Sequence, residues 1–149
     1  LEDGRTLSES NAIVLYLAEG SDLVPTDRFD RAKMLEWMFF EQYSHEPTIA
    51  VRTGLTHTYP HRFGEATPEL LADLLIRGHT ALDVMEARLS TSQWLAGDHF
   101  TAADITLYAY THKAALGGFD IDARPGISKW IDRVAAVDGH VGMNWPEND

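Results

Sequence analysis

Two residues near the start of the chain, Glu9 and Ser10, have the types and the placement of a helix start built to hold something negative. They stand in Leu7-Ser8-Glu9-Ser10-Asn11-Ala12-Ile13, directly ahead of an apolar run. A helix start carries unpaired N–H groups and a positive partial charge, so a negative group can settle against its exposed first turn, to which Ser10 adds an amide and a hydroxyl. The same residues also suit an ordinary helix start, with Ser8 as N-cap and Glu9 complementing the dipole. Two other pairs carry chemistry-bearing side chains. Tyr43 and His45 stand near the end of one helix, and Tyr108 and His112 are four apart on another. Core packing or solvated surface accounts for each pair at least as well as a role in a site. His57 and His61 have an i, i+4 spacing that can serve a metal, yet Pro60 between them breaks a helix and no third ligand is evident. They read as surface loop, and no metal is expected.

The elements that must position these groups read as helices almost throughout. Ile13, Tyr16 and Leu17 recur at helical spacing, which predicts one buried face, and Gly20 ends that helix. Upstream, Asp3-Gly4 is a hairpin-closing pair without room for a partner strand, so the chain is expected to open inside a sheet domain as a cut rather than a natural start. The polar connector Ser21 to Asp27 marks a domain boundary, giving a remnant over 1–20, a linker over 21–27 and a helical domain over 28–149. In that domain Asp27 with Asp30 imitates a capping box, and Ala32, Leu35, Phe39 and Tyr43 predict the apolar face of a helix that Pro47 bends or ends. Thr67-Pro68-Glu69 starts a long helix with Leu71, Leu74, Leu75, Gly78, Leu82, Met85 and Leu89 on one stripe. A third helix begins near Thr101, and a fourth covers roughly 127 to 137 around Trp130, Ile131 and Val134. The body is expected to be an all-α bundle. The run Trp37-Met38-Phe39-Phe40 cannot all face one core, which predicts that a sheet domain or a second subunit covers part of it.

Composition narrows the function classes. A formal net charge of −11 argues against binding a phosphate backbone or an anionic membrane, since such affinity rests on Lys and Arg. No apolar run approaches the roughly 18 residues that span a bilayer. With no Cys in the chain there is no disulfide, thiolate nucleophile or thiolate metal site, which suits a cytoplasmic protein.

Residues 94–105 read Trp-Leu-Ala-Gly-Asp-His-Phe-Thr-Ala-Ala-Asp-Ile. Thr101 and Asp104 are spaced as N-cap and N3 of a capping box, and Phe100 and Ile105 as the N′ and N4 residues of a hydrophobic staple. That role accounts for Asp104, which is assigned to folding. With Trp94, Leu95 and Gly97 ahead of it, the pattern resembles the start of the central core helix in the C-terminal domain of glutathione transferases. The opening stretch Leu7 to Ala18 in turn resembles the last helix of that family's thioredoxin-like domain, whose acid-Ser pair receives the γ-glutamyl end of glutathione.

The resemblance, which runs over the whole chain, implies a fold, a ligand and a reaction. It implies an all-α bundle with a small remnant of an α/β thioredoxin-like domain at its N-terminus, glutathione bound at Glu9 and Ser10, and a homodimer. It also implies a detoxifying transfer of glutathione thiolate to a hydrophobic electrophile, whose pocket Tyr43, His45, Tyr108 and His112 are candidates to line. The family's thiol-activating Tyr, Ser or Cys and its cis-proline loop belong to a segment ahead of the matched motifs, so the 149 residues are expected to be inactive alone. Glutathione-dependent isomerisation, dehalogenation and disulfide reduction remain alternatives on the same fold, as does a non-catalytic binding or assembly module.

Overall fold

The computed structural model describes residues 1, 3–62 and 64–142. Six α-helices run in order: α1 Ser10–Ala18, α2 Arg28–Phe40, α3 Glu46–Thr53, α4 Pro68–Leu89, α5 Ala102–Thr111 and α6 Pro125–Ala135. Among the described residues there is no strand, and the bundle is all-α as expected. The Asp3-Gly4 pair makes a tight turn in which the Gly4 N–H donates to the Leu1 carbonyl at 3.0 Å.

The helix starts follow local chemistry. Asp27 caps α2 by accepting from the Phe29 and Asp30 amides at 2.8 and 3.0 Å. Thr67 caps α4 by accepting from the Leu70 amide, with Pro68 at the first helical position, where its missing N–H costs nothing. The α6 start is capped by another helix: Glu86 of α4 accepts from the Gly126 and Ile127 amides at 2.9 Å each. A Cβ on Gly126 would lie 2.9 Å from that carboxylate and from the last backbone turn of α4, so only glycine allows this approach.

Helix α5 lies at the centre. Its Ala102, Ala103 and Leu107 are fully buried, and the two alanines let neighbouring elements come close. Around it pack Met34, Trp37 and Met38 of α2, Ile49 of α3, Leu82 and Met85 of α4, and Ile127, Trp130 and Val134 of α6. Each large buried apolar side chain contributes about 1.5–3 kcal/mol relative to exposure. The predicted stripe of α4 is the observed one, with Leu74, Gly78, Leu82, Met85 and Leu89 buried.

Two predicted faces are reversed. On α2 the expected apolar face points outward: Ala32 is exposed, Leu35 is half-buried, and Phe39 and Tyr43 are 70% and 84% exposed. The buried stripe is Met34, Trp37, Met38, Glu41, His45, Thr48 and Ile49, whose three polar members hide it from a count of apolar spacing. On α1, Ile13, Tyr16 and Leu17 are exposed, whereas Ala18 is buried and Val14 and Leu15 pack on the core. That helix is apolar on both sides, and the bundle covers only one of them.

Pro47 acts one turn earlier than a simple helix end. Lacking an N–H and crowding the Tyr43 carbonyl, it follows a widened π-helical turn, Glu41–His45, in which the Glu46 N–H bonds the Glu41 carbonyl five residues back. The chain continues as α3 and ends in a second π-helical turn, Gly54–Thr58. His57 lies in that turn and His61 just beyond it, both exposed. No metal-holding group of His, Cys, Asp or Glu occurs among the described residues, and no helix there is long and apolar enough to cross a membrane.

Candidate functional site

The start of α1 is an open helix end. Glu9, not Ser8, is the residue ahead of the first turn, and its side chain caps nothing. The first helical bond runs from the Ile13 N–H to the Glu9 carbonyl at 2.9 Å, so the Ser10, Asn11 and Ala12 amides precede the ladder. The Glu9 and Ser10 side chains are exposed and make no hydrogen bond among the described residues. Glu9 also has φ 71°, the sole positive value at a non-glycine among the described residues. A side chain there is strained by about 1–2 kcal/mol, so the surroundings must hold it. This backbone explains why Ser8 is displaced as cap: the chain enters the helix through a left-handed residue.

Asn11, which sequence reading passed over, ties this end to the bundle. Its Nδ2 group donates to the Met38 carbonyl at 3.0 Å and to Oε2 of Glu41 at 2.9 Å. Glu41, in the first π-helical turn, is 1% exposed and also accepts from Gln42 at 2.8 Å. Burial pushes its pKa up, opposed by the Gln42 and Asn11 hydrogen bonds and reinforced by the charge of Glu46. Glu46 and Tyr110 are half-buried alongside. Burial raises the pKa of both, and for Tyr110 the charges of Glu46 and then Glu41 add to it. Asn11 and Glu41 thus meet at the α1 start, and Glu46 and Tyr110 lie close enough to Glu41 for the charges to act on one another. The signal for Glu41 was an acid at helical spacing after the apolar Met34, Trp37 and Met38.

The four residues expected to line a second pocket are dispersed. Tyr43 faces outward on a shallow cavity of about 340 Å³ between α2 and α4, beside Phe40, Thr80 and Val84. His45, two residues later, is fully buried, so it cannot line an open cleft. The Thr111 hydroxyl donates to the Leu107 carbonyl at 2.7 Å and therefore accepts from Nε2–H of His45 at 2.8 Å, leaving Nδ1 of His45 without a partner among the described residues. Burial lowers this imidazole's pKa to about 3. Tyr108 and His112 do come together: their rings stack at 4.6 Å near Trp130 and His140, and Nδ1 of His112 bonds the Tyr108 carbonyl at 2.7 Å. Both are half-buried at the far end of α5 from its capped start.

That capped start is a closed helix end. Thr101 and Asp104 form the capping box, and both are fully buried. Oδ1 of Asp104 accepts from the Leu95 amide at 3.1 Å and from Nε1 of Trp130 at 2.8 Å. Its Oδ2 accepts from the Thr101 amide at 3.0 Å and the Thr101 hydroxyl at 3.3 Å. Burial pushes this carboxyl's pKa up and the four bonds pull it down. Phe100 and Ile105 are half-buried beside it, Phe100 edge-on to Trp94 at 5.3 Å.

Residues 68–133 match the family described as glutathione S-transferase, C-terminal domain. A glutathione S-transferase from Pseudomonas fluorescens Pf-5 is 48% identical and superimposes with a TM-score of 0.91, over 97% of this chain and 71% of that one. A sphingomonad glutathione S-transferase solved in complex with glutathione is 26% identical, with a TM-score of 0.78, over 93% and 66%. The disulfide-bond oxidoreductase YfcG of Escherichia coli K12 is 27% identical over 130 residues, 87% of this chain and 59% of that protein. Across five curated relatives the chain spans 52% to 68% of their length. The capped core helix, the all-helical bundle around it and these matches agree: the chain belongs to the glutathione S-transferase family.

Proposed function

We propose that this protein uses glutathione, with Glu9 and Ser10 holding the peptide's γ-glutamyl end while its thiolate attacks an electrophilic small molecule. One observation carries the reading: an acid and a hydroxyl, both without partners among the described residues, flank an open helix end on a strained backbone, in a family whose sphingomonad member is solved with glutathione. The γ-glutamyl carboxylate would meet the Ser10 amide and hydroxyl, and the ammonium the Glu9 carboxylate. The helical domain, through Tyr110 and Glu46 near the Glu41 that meets that end, would shape the second substrate's space. The thiol-activating group is assigned to a segment outside these 149 residues, which are then inactive alone and work as part of a cytoplasmic, detoxifying enzyme.

The same surfaces support a homodimer. Phe39 of α2, Tyr43 of the π-helical turn that follows it, and Ile76 and Val84 of α4 are exposed, a concentration of apolar side chains that a second copy would cover. Sedimentation should then show an assembly that Tyr43→Glu dissociates; a wild-type monomer at micromolar concentration removes this part of the proposal.

A second reading, glutathione-dependent disulfide reduction, is favoured by the relative named a disulfide-bond oxidoreductase. One experiment separates the two. The chain is joined behind the N-terminal part of the Pseudomonas fluorescens relative and assayed with glutathione against a chloronitrobenzene and against a mixed disulfide. Faster turnover of the chloronitrobenzene is expected. Turnover of the disulfide alone selects the second reading, and turnover of neither by a folded fusion removes both.

A further inference from the structure

We propose that Glu41 is a positioning residue for the glutathione anchor: through Asn11 it holds the start of α1 in the conformation that presents Glu9 and Ser10. This rests on the anchor reading above. Asn11 follows Ser10 directly, and its amide group donates to two bundle acceptors at once, the Met38 carbonyl at 3.0 Å and Glu41 at 2.9 Å. The apolar attachments of α1, namely Val14, Leu15 and Ala18, all lie further along the helix. At its far end Glu19 pairs with Arg31 at 3.2 Å. The Asn11 clamp is therefore the polar tie of the first turn, one residue from the anchor and two from the strained Glu9.

A non-glycine residue stays at φ 71° only while its surroundings over-determine the backbone. Released from the clamp, the entry to α1 relaxes and the Glu9 side chain leaves its place beside Ser10. The chemical identity of Glu41 fits this task. Oε2 takes two donors, from Asn11 and Gln42, and a carboxylate oxygen makes shorter and stronger bonds to such donors than a neutral acceptor does. Burying it at 1% exposure is otherwise costly in a position that an apolar side chain would fill.

The 149-residue chain itself provides the test, by amide NMR with two readouts. Hydrogen exchange at the Ile13 amide, which bonds the Glu9 carbonyl, reports the first turn without any ligand. Titration with glutathione, followed at the Ser10 amide, reports the anchor. In Glu41→Leu, exchange at Ile13 should rise about tenfold and the glutathione dissociation constant should rise about tenfold, while the melting temperature stays level or increases. Asn11→Leu, outside the core, should reproduce both changes, and the double variant should add nothing further, because both residues act through one clamp. Glu41→Gln keeps an oxygen acceptor and should recover most of both. Wild-type exchange at Ile13 in both single variants overturns the clamp whatever the ligand does. Wild-type affinity in Glu41→Leu, with affinity lost in Ser10→Ala, overturns the positioning role and leaves the anchor standing. No shift at Ser10 in the wild-type chain at any glutathione concentration overturns the anchor and the positioning role with it.

Discussion

The starts of α1 and α5 carry the same vocabulary, a hydroxyl and an acid at a helix N-terminus, and use it in opposite directions. At α5 every carboxylate oxygen of Asp104 is satisfied from within, by Leu95, Trp130 and Thr101, and nothing reaches solvent. At α1 the Glu9 and Ser10 side chains are outside, bonded to nothing among the described residues, on a backbone that favours glycine. A residue type at a helix start is therefore ambiguous by itself. What separates a folding device from a binding site is whether its donors and acceptors are already used, and substitution should expose that difference.

The largest effect is expected at the closed end. Asp104→Ala leaves the Trp130 indole N–H and two amides buried without acceptors, each worth about 1–3 kcal/mol. Denaturation should show a loss of about 3 kcal/mol or more, beyond the roughly 1 kcal/mol of an ordinary cap, and Asp104→Asn should lose less. A shift under 1 kcal/mol for Asp104→Ala would erase the contrast.

His45 offers a second inward case, read through pH. Its folded pKa, near 3 because of burial, lies below its ordinary 6.5, so the unfolded chain takes up a proton that the native chain refuses. Stability contributed by neutral His45 is complete above pH 6.5 and is lost as pH falls toward 3, on the order of 1 kcal/mol per pH unit. Glu41 and Glu46, raised by burial, act with the opposite sign. The clean comparison is therefore wild type against His45→Gln between pH 6.5 and 5: wild type should lose about 1.5 kcal/mol more. Parallel pH curves would place a charged or accessible imidazole there.

At the open end the sign should invert. Glu9→Gly relieves a left-handed backbone, and the chain should gain about 0.5–1 kcal/mol while glutathione binding is lost. A destabilised Glu9→Gly would mean that the acid supports the fold.

These contrasts also explain which features the sequence made visible. Capping chemistry is local, so Asp27, Thr67 and the Thr101-Asp104 pair mark their helices correctly, and the uninterrupted stripe of α4 marks its own buried face. The buried face of α2 contains Glu41, His45 and Thr48, so the exposed Phe39 and Tyr43 make the stronger apolar pattern. The π-helical turn leaves no compositional mark beyond Pro47 after it. The proposed anchor pair is legible because its two residues are adjacent. The clamp beneath it is not, since Asn11 and Glu41 are thirty residues apart in sequence and meet only once the bundle has formed.

The most direct measurement is calorimetric titration of glutathione into wild-type protein and Ser10→Ala, using the fusion to the Pseudomonas fluorescens relative, with thermal unfolding of both alongside. An outward-facing hydroxyl that serves a ligand predicts weaker binding by about 1–3 kcal/mol, the scale of a hydrogen bond to a charged group, at nearly unchanged melting temperature. Equal affinity for the two proteins would contradict it, and Glu9-Ser10 would then be a helix start and nothing more.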